Sequence, residues 1–136
     1  SKYTKKALGF LLAHRDRLLT EVGGEALELH ILNVQSPIPP RARAAVGKDV
    51  VDEYHAAEAK KVFAPIMKFL EKHDVVATSE WKVGEPAAEI TSVAKRRKSH
   101  FIMMGTHGHG VLGRMLMGSV AQRVITESDI PVLLVK

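Results

Sequence analysis

Gly105, Gly108, Gly118 and Ser119 are the residues of this 136-residue chain whose types and spacing point most directly to chemistry. Glycine lets a backbone approach a ligand closely and turn through left-handed angles, so successive N–H groups can converge into an anion-binding concavity. Gly118 and Ser119 stand where a helical pattern begins. The unpaired N–H groups of a helix start favour a phosphate through hydrogen bonding and the helix dipole together. Ser119 and Gln122 also have capping-box spacing. The chemistry expected of this segment is retention of a polyphosphate by backbone groups.

Other constellations carry less. His107 and His109 lie two apart, but the same segment supplies no carboxylate and no third histidine. A turn-stabilising or ligand-adjacent role is therefore expected of them, and no metal site. Phosphoryl transfer needs a cationic clamp on the γ-phosphate, metal-binding carboxylates and a group that orients the nucleophile. No lysine separates Gly118 from Ser119, so the Walker pattern is absent, as are a kinase signature, a nucleophile elbow and a paired-carboxylate constellation. No catalytic residue is assigned. The run Lys95-Arg96-Arg97-Lys98 has no interleaved aromatics and reads as a solvated helix end rather than a nucleic-acid patch.

The elements that must position the glycines follow from apolar periodicity. Ala7, Leu8, Leu11, Leu12, Leu18, Leu19 and Val22 form a helical stripe that stops at Gly23-Gly24. Leu27–Val34 reads as a strand, and residues 35–48, with three prolines, as a long loop. Val51, Tyr54, Val62, Ile66, Phe69 and Leu70 share one face of a second helix, bent or broken at Pro65. Val75–Val83 reads as a strand, and Pro86 stands near the start of a helix that ends in the basic run. HFIMM and PVLLV are short apolar runs that suit strands covered on both faces, with a last helix between them carrying Val120, Ala121, Val124 and Ile125.

This alternation predicts a single α/β domain over residues 1–136, a three-layer α/β/α sandwich with a mainly parallel sheet. In such sheets ligands lie beyond the carboxyl ends of the strands, and the glycine segment leaves the end of the HFIMM strand. Composition sets the outer bounds. No apolar run approaches the roughly 20 residues that cross a bilayer, and nothing at the start resembles a signal peptide. There are no cysteines, which excludes disulfides and thiolate metal sites and fits a reducing cytoplasm. The net charge of +5 suits an anionic partner but serves solubility equally well.

The spacing Gly105-x2-Gly108-x9-Gly118-Ser119 resembles the G-x2-G-x9-G-[S/T] signature of the ATP-binding universal stress proteins. The flanks FIMMGTHGHG, GSVAQRVI and IPVLLVK are similar too, and upstream LELHILNV resembles the family's second strand and VGEPAAEI its entry into the third helix. The resemblance covers essentially the whole chain. It implies a Rossmann-like nucleotide-binding sheet. Family members open with a strand carrying an aspartate near its end, commonly followed by Gly-Ser and a helix. Here SKYTKKAL matches only from the serine onward, so the family's first strand is absent from this sequence. That strand is expected in the native protein, and its aspartate is assigned to no position here.

Residue by residue, the resemblance implies ATP as the ligand, with Mg²⁺ coordinated through its phosphates. Val34 would line the adenine pocket, with Met104 and Gly105 nearby. Gly108, His109, Gly118, Ser119 and Val120 would hold ribose and phosphates. Arg41 and Arg43 would reach phosphate if their loop folds over the nucleotide, although no motif match supports them. The implied role is a nucleotide-dependent stress-response module read by an unknown signalling partner, with any hydrolysis slow and incidental. A dimeric interaction protein that binds no nucleotide and a slow ATP phosphohydrolase are the alternatives. The apolar PVLLV strand, with Pro131 at its tolerated first position, is the expected site of homodimerisation, antiparallel across a two-fold axis as in the family.

Overall fold

A computed structural model of the chain describes residues 2–21, 28–106 and 118–136. The elements run α1 (Lys2–Glu21), β1 (Leu29–Gln35), α2 (Pro40–Val46), α3 (Lys48–Lys72), β2 (Ala77–Val83), α4 (Pro86–Arg96), β3 (Ile102–Gly105), α5 (Ser119–Glu127) and β4 (Val132–Val135). The chain divides into two compact units, one of residues Ser1–Leu27 with Ile90–Lys136 and one of residues Glu28–Glu89, with the division falling inside α4. No described helix is long and apolar enough to cross a membrane.

In the unit Glu28–Glu89, β1 and β2 pair in parallel from Leu29 opposite Ala77 to Gln35 opposite Val83. Parallel neighbours need a long crossover rather than a hairpin. α3, 25 residues long, supplies it and packs on both strands. The strands are also clamped by side chains: His30 Nδ1 lies 2.6 Å from Thr78 Oγ1, and His30 Nε2 lies 2.8 Å from Glu80 Oε1.

Residues 35–48 are not all loop. α2 occupies seven of them, because Pro40 pre-sets the first helical φ and Arg-Ala-Arg-Ala-Ala are good helix formers. Gly47 then separates α2 from α3 with φ +85 and ψ 165, a conformation open essentially to glycine alone. α3 in turn is not broken at Pro65. Its buried face also differs from the expected one. Val51, His55, Ala59 and Leu70 are buried, while Tyr54, Val62 and Phe69 are 51%, 41% and 36% exposed. Small Ala59 and hydrogen-bonded His55 occupy the sheet-facing stripe, which leaves the larger apolar residues on the flank.

In the unit Ser1–Leu27 with Ile90–Lys136, β3 and β4 pair in parallel from Ile102 opposite Val132 to Gly105 opposite Val135. α1 packs on both strands and buries Leu11, while α5 packs on β4 and buries Ala121 and Val124. The α/β class and parallel strand direction agree with the sequence. The sheet expected as one is present as two parallel pairs, with no ladder between them among the described residues. Each strand takes its partner from the next strand in sequence, across a helical crossover. α4 starts under a cap from Glu85, whose carboxylate accepts the N–H groups of Ala87 at 3.2 Å and Ala88 at 2.8 Å.

Leu70 is 1% exposed beside the half-exposed Phe69, which makes a matched test of the buried face. Leu70→Ala is expected to lower unfolding free energy by about 2–5 kcal/mol in urea titration. Phe69→Ala, on the flank, should lose less than about 1 kcal/mol.

Candidate functional site

The segment between β3 and α5 is closed by backbone hydrogen bonds at its two ends. Thr106, 8% exposed, donates its N–H to the Val135 carbonyl at 3.1 Å, extending the β3–β4 ladder one residue past Gly105. The Thr106 carbonyl in turn accepts the N–H of Gly118 at 2.6 Å. That second bond fixes the start of α5 at the carboxyl end of β3. Met104, Gly105, Gly118, Ser119 and Val120 are thereby brought together within one unit.

Gly118 is the N-cap of α5, with φ −58 and ψ 151, and Ser119 is the first helical residue. The capping box expected from Ser119 and Gln122 therefore does not form, because the serine stands one position too late and the cap residue has no side chain. The first helical bond is Gln122 N–H to Gly118 carbonyl at 3.1 Å. The N–H groups of Ser119, Val120 and Ala121 precede it and have no acceptor within the helix. With Ser119 exposed, the first turn presents a hydroxyl and a set of aligned N–H dipoles to any anion that reaches it.

Gly105 is the last residue of β3 and does not use the left-handed freedom foreseen for it; Gly47 is the one described glycine with such a φ. What remains of the glycine argument at Gly105 and Gly118 is absence of bulk. Gly108 and His109 lie outside the described residues. Val34 belongs to the other unit, half-buried in β1 opposite Lys82. Arg41 and Arg43 lie exposed on α2.

The sequence reading missed a polar cluster at the carboxyl end of β1. His55 of α3 is 2% exposed. Gln35 Nε2 donates to the His55 carbonyl at 2.8 Å, which orients the amide, so Gln35 Oε1 accepts from His55 Nδ1 at 2.7 Å. The ring stacks against Trp81, with centroids 5.9 Å apart and planes 27° apart. Two residues back, Asn33 Oδ1 is buried without a hydrogen-bond partner among the described residues. The available signal was a lone amide inside an apolar strand, Leu29-His30-Ile31-Leu32-Asn33-Val34. The row of Thr78, His30 and Glu80 left no signal at all, since only strand register brings its members together.

Gln35→Ala should leave His55 Nδ1–H buried and unpaired at a cost of about 1–3 kcal/mol. Chemical denaturation of the variant beside wild type measures this. A cost near zero would mean that the pair is incidental to the packing of α3.

Residues 1–136 match the universal stress protein family over their full length. The chain is 31% identical over 123 residues to universal stress protein MJ0531 of Methanocaldococcus jannaschii, a match covering 90% of this chain and 71% of the relative. It is similar in structure to MJ0577 of the same organism, with TM-score 0.78 and 29% identity over 100% of this chain and 89% of the other. It also shares its fold with a universal stress protein from Archaeoglobus fulgidus solved in complex with dAMP, with TM-score 0.69 and 21% identity over 100% and 90% of the two chains. These neighbours carry the Rossmann-like α/β fold, and the chain belongs to the universal stress protein family.

Proposed function

We propose that this chain is an ATP-binding stress-response module whose phosphate site is the first turn of α5 together with the glycine-rich segment before it. The observation that carries the reading is the start of α5 itself. It is fixed by the bond from Gly118 N–H to the Thr106 carbonyl, and the N–H groups of Ser119, Val120 and Ala121 are left for a ligand. An anion there satisfies both their hydrogen-bonding capacity and the positive end of the helix dipole. The G-x2-G-x9-G-S spacing supports the same reading, as does the dAMP held by the Archaeoglobus fulgidus relative.

In this reading Gly118, Ser119 and Val120 bind phosphate through backbone N–H groups and the serine hydroxyl, helped by Gly108 and His109. Met104 and Gly105 lie against ribose or base. Mg²⁺ enters on the nucleotide and neutralises its phosphates. The protein contributes binding and orientation, and occupancy is the signal that a partner reads. A second copy pairs along β4, whose outer edge has no ladder partner among the described residues.

Gly118→Asp separates this site from a bare structural turn. The backbone angles of Gly118 suit any residue, and aspartate is a favoured helix cap, so the variant should fold. Its carboxylate takes the first-turn N–H groups for itself and repels phosphate. Calorimetry with Mg·ATP should show binding by wild type and at least about a tenfold loss in the variant, roughly 1.4 kcal/mol. Equal affinity in both proteins would remove the first turn of α5 from the site.

A further inference from the structure

The row of Thr78, His30 and Glu80 is ordered hydroxyl, imidazole, carboxylate. His30 of β1 stands opposite Thr78 of β2 in the parallel register, and Glu80 lies two residues further along β2 on the same face. Gln35 and Trp81, which meet His55 of α3, have the other parity, so the row is on the sheet face turned away from α3. It sits near the amino ends of β1 and β2, whereas ligand sites of α/β sheets lie beyond the carboxyl ends. Thr78 is exposed, and the side chains of His30 and Glu80 keep 14% and 24% of their surface open.

The partners fix the direction of each bond. An ionised carboxylate only accepts, so Glu80 Oε1, 2.8 Å away, takes the N–H of His30 Nε2. In the neutral ring Nδ1 is then the bare nitrogen, and the Thr78 hydroxyl at 2.6 Å donates to it. A hydroxyl within hydrogen-bond reach of a base that a third group holds in orientation is the arrangement of an activated oxygen nucleophile. Joining two strands does not call for it. A half-exposed ion pair adds little stability, and a bond to an exposed hydroxyl replaces one to water.

We propose that Thr78 is a nucleophile that takes an acyl group from an activated, uncharged ester, with His30 as its general base and Glu80 as the positioning residue. Thr78 Oγ1 bonds to the ester carbonyl carbon as its proton passes to His30 Nδ1. The bond from that carbon to the alcohol oxygen then breaks, the alcohol leaves with the proton from His30, and acyl-Thr78 remains. Water attacks this ester in turn, and its proton passes through His30 Nδ1 to Thr78 Oγ1. A carboxylic acid is released and the row is restored. The Glu80 carboxylate, one imidazole away from the hydroxyl, repels anionic donors, which selects acyl over phosphoryl transfer. The reaction uses none of the residues of α5 and requires no nucleotide.

The probe is p-nitrophenyl acetate, followed by peptide mapping of the whole chain by mass spectrometry. Wild type should gain an acetyl group at Thr78 faster than at any other hydroxyl. Hydroxylamine should remove it, as it removes an ester, and should leave acetyl-lysine in place. Thr78→Ser should keep the label and Thr78→Val should lose it. His30→Gln should slow acetylation of Thr78 at least about a hundredfold. Glu80→Gln keeps a hydrogen-bonding group beside Nε2 but no longer fixes the tautomer, and should slow it at least about tenfold.

Circular dichroism and urea titration keep folding apart from reactivity. A row that only joins strands loses stability in these variants without a change of rate at Thr78. Absence of an acetyl group at Thr78 overturns the proposal, as does acetyl confined to hydroxylamine-resistant lysines. An unchanged rate at Thr78 in His30→Gln also overturns it.

Discussion

The bond from Gly118 N–H to the Thr106 carbonyl is the constraint on which the proposed site depends. Without it α5 has no fixed origin relative to β3, and a set of helix N–H groups aimed at nothing fixed is not a binding site. The bond works because Thr106 is itself held: its N–H is committed to Val135 of β4, so its carbonyl is presented in a set direction. A β-ladder thus positions a helix start through a single residue. Glycine at 118 then leaves the turn without a side chain that could compete for the same donors.

The other unit solves its positioning problem with side chains. β1 and β2 are parallel, so α3 must travel the length of the sheet, and the histidine it buries needs a partner. Gln35 meets that need from the last position of β1, and Trp81 on β2 closes the ring from the side. The large apolar residues that sequence alone would have placed inward were displaced to the flank by this polar contact. The exposure of Tyr54, Val62 and Phe69 and the burial of His55 both follow from one choice of helix rotation.

Much of this was legible in the sequence for identifiable reasons. The parallel α/β class followed from helical stripes alternating with short apolar runs, and the start of α5 followed from Gly118-Ser119. The errors have physical causes. Residues 40–46 look like loop because of the prolines, yet a proline at a first helical position initiates rather than terminates. The face of α3 was misjudged because apolar weight was counted without asking whether a buried histidine could be satisfied from another strand. Ser119 was read as a cap when it is the first helical residue, a shift of one position that periodicity cannot resolve. Contacts such as His30 with Thr78 and Glu80 depend on register between segments some fifty residues apart, which no local pattern encodes.

Gly47 carries a consequence of a different kind. Nothing lies within 4 Å of where its β-carbon would be, so crowding does not account for the residue. The restriction is one of handedness: at φ +85 an L-amino acid is strained, whereas its mirror image is at home. The break between α2 and α3 is thus a demand for an achiral residue in a chain otherwise built from one enantiomer. Semisynthesis with D-alanine at this position would satisfy the backbone where L-alanine would not. What the fold selects there is the missing stereocentre.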